Sequence, residues 1–295
     1  MTSAPALISI AALERALSPN RLAGYRQPGD KDLTDGLARY IWNLALADAI
    51  SPVLHAFELT LRNEVVRAAA KIVPPRITAA NSAAPVTVPV FTPGLFPTWL
   101  DVQPTMLLDN ELAKLKRAKS DLGSDRRTHT EGHLIAKLDL GFWVALLRKP
   151  YADARADGPR LWPAGLKYAF QHRPKHIKDA VDLFHAFDPI RMFRNRVAHH
   201  DPIWDRKYVF EHDRALHCLS WMNPTLAAAV TTISRAPAVF GVGPGVYRPL
   251  AEDILGAGPG TSADPIVRVV RALKALPASD REEAATAMLD AITKR

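Results

Sequence analysis

The sequence predicts an all-α fold, a helical bundle, and three observations support this. Apolar residues recur every three or four positions through most of the 295-residue chain, as they do along one face of a helix. Strict alternation of apolar and polar residues, which is typical of strands, is nowhere long enough to form the core of a sheet. Hydrophobic residues make up 48% of the chain, enough for the core of one large domain or two modest ones.

The helical pattern divides the first 235 residues into segments. One helix is predicted from Ala6 to Leu17, and a longer one begins after Thr34-Asp35. We expect a break at Ser51-Pro52 and a new amphipathic helix there, because proline fits the first turn of a helix. Further helices are predicted over 106–119, 135–148, 177–198 (one helix, or two joined at Asp188-Pro189) and 206–222.

Residues 73–104 and the chain after 235 differ from this pattern. Prolines at seven positions between 74 and 104 favour an extended loop there, although Val86–Val90 is β-branched enough for a short edge strand. The chain is predicted to form a helical domain over 1–235, a Gly/Pro-rich linker over 236–262 and a short helical C-terminal tail over 263–295. The glycines at 241–245 lack the Gly-Lys-Ser/Thr of a phosphate-binding P-loop.

Charge and cysteine content limit the class of protein. The net charge of +8 favours an anionic partner such as nucleic acid, although basic surfaces also serve solubility alone. Cys218 is the single cysteine, so an internal disulfide is excluded, and we expect this thiol to fill the core. No basic segment precedes the apolar N-terminal run, and no apolar run approaches the ~20 residues that span a bilayer. We therefore expect a soluble, cytoplasmic protein that does not bind a membrane.

The segment from Arg194 to Pro202, Arg-Asn-Arg-Val-Ala-His-His-Asp-Pro, concentrates chemically useful side chains. Guanidinium groups bind phosphate oxygens in a bidentate fork, and imidazoles transfer protons near neutral pH. Pro202 disfavours helical geometry at the preceding residue, so His199 and His200 are predicted to lie in the last helical turn. The negative end of the helix dipole there stabilises a protonated imidazole. Together these residues could cleave RNA without a metal or another cofactor.

Helix geometry indicates which of these side chains can cooperate. Residues four apart share a face, so Asn195 should lie under His199 and Arg196 under His200. Arg194 is five residues before His199, which is about 140° around an ideal helix. That pairing becomes natural if two copies of the chain meet and each supplies an arginine to the histidine of the other.

Two other interpretations of the segment remain open. Basic residues in a last helical turn stabilise the helix without any further role. A zinc site could use His199, His200, His212 or His217, although their spacing matches no familiar tetrahedral set.

The segment 194–203 resembles the motif of the Abi-like (abortive infection) proteins of the HEPN superfamily. Other segments resemble that family in the same order along residues 5–220. They are Tyr40-Ile41-Trp42-Asn43, the stretch from His55 to Asn63, Leu138-Asp139-Leu140-Gly141-Phe142-Trp143 and Leu161-Trp162.

The resemblance implies an all-α, HEPN-like bundle that forms a homodimer, and a metal-independent endoribonuclease that uses an Arg-x4–6-His motif. Arg194 fits this motif with His199 or with His200, and Asn195 matches the polar residue that follows the arginine. Arg196, Glu58 and Arg62 are expected to support the site. RNA is the implied substrate, and an antitoxin or regulatory protein is a further expected partner in phage defence.

Two alternatives to catalysis come from other functional classes. The same basic face could serve a non-catalytic RNA- or nucleotide-binding module. A helical interaction protein, in which the two histidines only cap and pack, is the third hypothesis. Trp42, Phe142 and Trp143 are predicted to be core residues rather than base-stacking ones, and Arg126 and Arg127 either guide RNA or lie in a solvated loop.

Overall fold

A computed structural model describes residues 10–30, 33–72, 100, 107–124, 131–152, 161–162, 165–248 and 280–281. Every regular element in these ranges is a helix and none is a strand, which confirms the predicted all-α class. The chain divides into two compact units, one with residues 1–48, 202–206 and 236–295 and the other with residues 49–201 and 207–235. The boundary at residue 235 between a helical domain and a linker stays a prediction.

The helices are numbered here in chain order. They are α1 (Ile10–Leu17), α2 (Pro19–Ala23), α3 (Leu33–Ile72), α4 (Asp109–Gly123), α5 (Glu131–Lys137), α6 (Leu140–Ala145), α7 (Lys149–Ala152), α8 (Leu166–Ala169), α9 (Ala180–Ala198), α10 (Tyr208–Met222), α11 (Pro224–Ile233) and α12 (Ala236–Val242), followed by a 3₁₀ turn at Pro244–Tyr247.

Helix α3 runs for 40 residues with Pro52 inside it, so the predicted break at Ser51-Pro52 is wrong. An internal proline lacks its N–H and crowds the carbonyl four residues earlier, which costs about 3 kcal/mol. The side chains of Ile50, Val53 and Leu54 are buried on either side of it. Burying each such side chain stabilises a helix by about 1.5–3 kcal/mol, and this outweighs the proline.

For residues 177–198 the sequence allowed either one helix or two joined at Asp188-Pro189. The structure has one, α9, which continues through Pro189. Its start is fixed by a capping box. The Asp179 carboxylate accepts a hydrogen bond from the N–H of Asp182 (2.9 Å), and the Asp182 carboxylate accepts one from the N–H of Asp179 (3.4 Å). This cap positions the helix that carries the arginine–histidine segment at its other end.

Four sequence predictions concern segments that the structure describes in part or not at all. The predicted strand at Val86–Val90 and the loop with Arg126 and Arg127 lie outside the described residues. Residues 236–242, predicted as linker, form α12, with Ala236 and Val239 buried. Of the predicted tail over 263–295, only residues 280–281 are described.

The unit that contains residues 49–201 has an aromatic core centred on Phe187 of α9. The centroid of its ring lies 5.0 Å from that of Phe57 on α3 and 5.9 Å from that of Trp221 on α10. The ring of Phe170, which follows α8, lies 5.7 Å away. Phe142 and Trp143 are fully buried, which confirms that they are core residues. Cys218 is also buried, as predicted for a thiol that fills the core.

The unit that contains residues 1–48 is held by buried polar contacts. The Asn43 side-chain oxygen accepts hydrogen bonds from the N–H groups of Ile203 (2.7 Å) and Trp204 (3.1 Å). The Arg39 guanidinium forms a two-point ion pair with Asp30 and lies over the Trp204 ring. Trp42 is buried, as predicted, and its indole N–H donates to the carbonyl of Val239 (3.2 Å).

The stretch Leu33–Lys71 of α3 is long and apolar enough, by length and composition, to cross a membrane. Its most apolar window of 18 residues has a mean hydropathy of 1.4, and 56% of that window is buried inside the protein. A core helix of a soluble protein passes the same test. The expectation that no segment approaches spanning length does not hold for α3, and the soluble, cytoplasmic location stays a prediction.

Candidate functional site

A carboxylate and two guanidinium groups meet where α9 packs beside α3. Nε of Arg194 donates to Oε2 of Glu58 (2.9 Å), and a terminal nitrogen of Arg62 donates to Oε1 of the same carboxylate (2.9 Å). The Glu58 side chain is 11% exposed, Arg62 is 14% exposed and Arg194 is 34% exposed. The structure therefore brings together three of the predicted site residues from two helices, although Glu58 and Arg194 are 136 residues apart in the chain.

The charges in this cluster do not cancel. One carboxylate faces two guanidinium groups, which leaves a local charge of +1 at pH 7. Arg194 meets Glu58 through Nε alone, and no other carboxylate in the described ranges hydrogen-bonds its two terminal amino groups. In addition, Nε of Arg62 is buried without a hydrogen-bond partner in that part of the chain. An unpaired buried donor carries a desolvation cost, and it adds to the excess of N–H donors over acceptors in this cluster.

The end of α9 places the two histidines differently from the prediction. The helix ends at Ala198, and His199 is the C-cap residue, whose N–H donates to the carbonyl of Asn195 (2.9 Å). His200 lies beyond the cap with a positive φ of 58°. The expectation that His200 sits in the last turn above Arg196 is therefore wrong, because the backbone at His200 has a left-handed conformation and leaves the helix there.

The backbone hydrogen bonds around His200 form a Schellman motif. The N–H of Asp201 donates to the carbonyl of Arg196 (2.9 Å), and the N–H of His200 donates to the carbonyl of Val197 (3.1 Å). Glycine usually occupies this left-handed position, because any side chain there is strained. A histidine in its place is a local departure from the most stable sequence, as is common at functional sites.

Helix geometry sets Arg194 and His199 on different sides of α9. Helix α9 is uninterrupted between them up to the C-cap, so they differ by about 140° around the axis and about 7.5 Å along it. Both histidines are exposed, whereas Asn195 and Arg196 are half-buried. Asn195 was predicted to lie under His199, but within the described residues no hydrogen bond joins the Asn195 amide to the His199 ring.

The histidines considered for a zinc site have other neighbours. His212 is buried, with Nδ1 2.9 Å from the Asp213 carboxylate, and the His217 ring packs edge-on against Trp221 with centroids 5.3 Å apart. In the described portion of the chain, no three His, Cys, Asp or Glu side chains are grouped closely enough to hold a metal ion.

Two features of this site are hard to obtain from sequence. The Glu58–Arg62 pair is visible as an i,i+4 spacing, but its link to Arg194 needs the packing of α9 on α3. The left-handed conformation of His200 was not predicted, because Pro202 indicates only that the helix ends before it.

Comparison with known protein-family profiles, with curated proteins and with solved structures found no match to this chain.

Proposed function

We propose that this chain is a metal-independent endoribonuclease of the HEPN type, of the Abi-like class that arrests phage-infected cells. One observation carries the proposal. Arg194, the arginine of the Arg-x4–6-His motif, is oriented by the buried Glu58 through Nε, and its side chain remains 34% exposed. A guanidinium held in this way can present its terminal N–H groups to a phosphate without first having to be ordered.

The reaction is a transfer of the phosphodiester within RNA. The 2′-oxygen of ribose attacks the adjacent phosphorus, and His199 accepts the proton of that hydroxyl. The bond from phosphorus to the 5′-oxygen breaks, and the leaving oxygen takes up a proton from His200 or from water. Arg194 stabilises the charge on the pentacoordinate phosphate. The products are a 2′,3′-cyclic phosphate end and a 5′-hydroxyl end.

The geometry of α9 favours a site shared by two copies of the chain. Arg194 and His199 point about 140° apart in one helix, so the arginine of one copy meets the histidine of another more readily than its own. We therefore propose a homodimer that is soluble and cytoplasmic, as its RNA substrate requires. An antitoxin or regulatory protein that restrains it is part of the same proposal.

A second candidate is a non-catalytic RNA-binding module. The observation that favours it is the ion pair itself, because Glu58 offsets one of the two positive charges in the cluster. An arginine that is partly neutralised in this way still binds a phosphate but stabilises the charge of a transition state less.

Cleavage of total RNA and transfer RNA in EDTA tests the proposal. The wild type is compared with Arg194→Ala and His199→Ala, and His185→Ala is the matched control because His185 is an exposed histidine of the same helix. Cyclic phosphate ends from the wild type and the control, with loss of at least a hundredfold in the other two, support the nuclease. RNA binding by all four proteins without any cleavage would favour the binding module instead.

A further inference from the structure

Phe210, in the first turn of α10, presents its ring to solvent. Its residue surface is 54% exposed, and no other phenylalanine, tyrosine or tryptophan in the described ranges is classed as exposed. Aromatic side chains are usually buried, since each buries 150–250 Å² of surface in a core. A single exposed apolar side chain is common at protein surfaces, so this ring indicates a binding position only in combination with the charged groups beside it.

The ring already carries a cation on one face. The guanidinium carbon of Arg214, one turn further along α10, lies 4.5 Å from the ring centroid. The Glu211 carboxylate, 3.2 Å from Arg214, holds this guanidinium in place. The Phe210 ring and the Arg214 guanidinium therefore form a stack of two flat groups whose orientation is fixed before any ligand binds.

Helix packing relates this stack to Arg194. The rings of Phe187 on α9 and Trp221 on α10 are in contact, and the two helices are consecutive with only residues 199–207 between them. A connection this short favours an antiparallel pair, in which residues equally distant from this contact lie at about the same level. This geometry places Arg214, seven residues from the contact, at about the level of Arg194, and Phe210, eleven residues from it, at about the level of Ala198.

A further cation lies on the same face of α10. Lys207 is exposed and precedes Phe210 by three residues, and Arg214 follows Phe210 by four, so all three share one side of the helix. The chain as a whole carries a net charge of +8. The combination of cations with an exposed aromatic ring complements a single-stranded nucleic acid, whose bases stack on rings while its phosphates meet the cations.

We propose that Phe210 and Arg214 form a stacking site for an unpaired base of the RNA bound at Arg194. The inference rests on the proposed function and adds the substrate class to it, a single strand with a base splayed out beside the phosphate at Arg194. The base stacks on the face of the Phe210 ring that Arg214 leaves open, and Lys207 contacts the neighbouring phosphate. Because every base has a flat face, this site gives affinity with little preference for sequence.

Binding of a single-stranded 12-mer 2′-O-methyl RNA with one central 2-aminopurine tests the site, because without a free 2′-hydroxyl the RNA cannot be cleaved by the proposed reaction. The fluorescence of this base falls when it stacks, so the emission reports stacking and a titration reports affinity. Phe210→Ala and Phe210→Leu remove the aromatic ring, the latter with little loss of apolar surface, and Phe210→Trp retains an aromatic ring. Val209→Ala is the matched control, since Val209 is the neighbouring exposed apolar residue and is 44% exposed.

We expect Phe210→Ala and Phe210→Leu each to weaken binding about tenfold and to abolish the fluorescence loss, while Phe210→Trp and Val209→Ala bind as the wild type does. Equal affinity and quenching in all five proteins would overturn the stacking site. Normal RNA cleavage by the wild type in that case would leave the proposed nuclease intact. A wild type that neither binds nor cleaves RNA would overturn both. If Phe210→Ala instead lowers the mass of the protein in solution by light scattering, the ring belongs to a protein interface and the inference is wrong.

Discussion

The Glu58 carboxylate accepts a hydrogen bond from Nε of Arg194 at 2.9 Å and one from Arg62, also at 2.9 Å, although 136 residues separate Glu58 from Arg194 in the chain. The contact ties the middle of α3 to the last turns of α9. It fixes the guanidinium of the motif arginine on the protein side and keeps a local charge of +1 beside it. The same carboxylate therefore contributes to the stability of the fold and orients the arginine on which the proposed site depends.

Replacement of Glu58 by glutamine should lower the free energy of unfolding by about 2 kcal/mol, because the amide leaves two partly buried guanidinium groups without their counter-charge. Urea denaturation measures this loss. Glu64→Gln is the matched control on the same helix. Glu64 is similarly buried, but its partner Arg67 is 61% exposed, so a change below about 1 kcal/mol is expected. Equal losses in the two variants would contradict the special role of Glu58.

The Arg39–Asp30 pair should make the stability of the protein depend on acidity. The hydrogen bond from Arg39 lowers the pKa of Asp30 to about 2, below its ordinary value of 3.8. A lowered pKa in the folded state contributes stability that is present above the ordinary value and lost as the pH falls from about 4 through about 2. We expect Asp30→Asn to be less stable than the wild type at pH 6, with the difference shrinking by pH 2.5. Thermal melting at both pH values measures it, and a difference that stays constant would contradict the pairing.

The left-handed conformation of His200, with a φ of 58°, predicts an inverted preference between glycine and alanine. His200→Gly should be more stable than His200→Ala by about 1 kcal/mol, since both lose the imidazole and only alanine is strained there. At Ala198, the last residue of α9, the order is reversed, and Ala198→Gly should destabilise by up to about 1 kcal/mol. Urea denaturation of the three variants measures both differences. If His200→Ala has the same free energy of unfolding as His200→Gly, the Schellman motif is contradicted.

The Cys218 thiol should be unreactive in the folded protein. Burial raises its pKa to about 12, so at pH 8 almost none of it is the reactive thiolate. An aromatic disulfide reagent should modify it only as the protein unfolds in urea. Stoichiometric modification within seconds without denaturant would show that the thiol is accessible.

The fold class followed from sequence because helical periodicity reports local burial, and that signal is stronger in α1 and α4 than in α9 and α10. The break at Pro52 was predicted wrongly because local propensity opposes the helix there, while the burial of Ile50, Val53 and Leu54 is decided by tertiary packing. The residue types and the spacing of Arg194 and His199, on which the proposed reaction rests, could be taken from the sequence. The ion pair with Glu58 and the position of Arg214 relative to Arg194 depend on contacts between helices, which spacing within one helix does not contain.

The central claim is that Arg194 of one copy and His199 of another act on the same phosphate. Mixing two inactive variants, Arg194→Ala and His199→Ala, tests it most directly. In a mixed dimer, one of the two shared sites has both mutations and the other has neither. After exchange of subunits, about half of the dimers are mixed and each retains one intact site, so cleavage in EDTA should return to about a quarter of the wild-type rate. If the mixture stays as inactive as each variant alone, while the wild type cleaves RNA, the shared site is wrong.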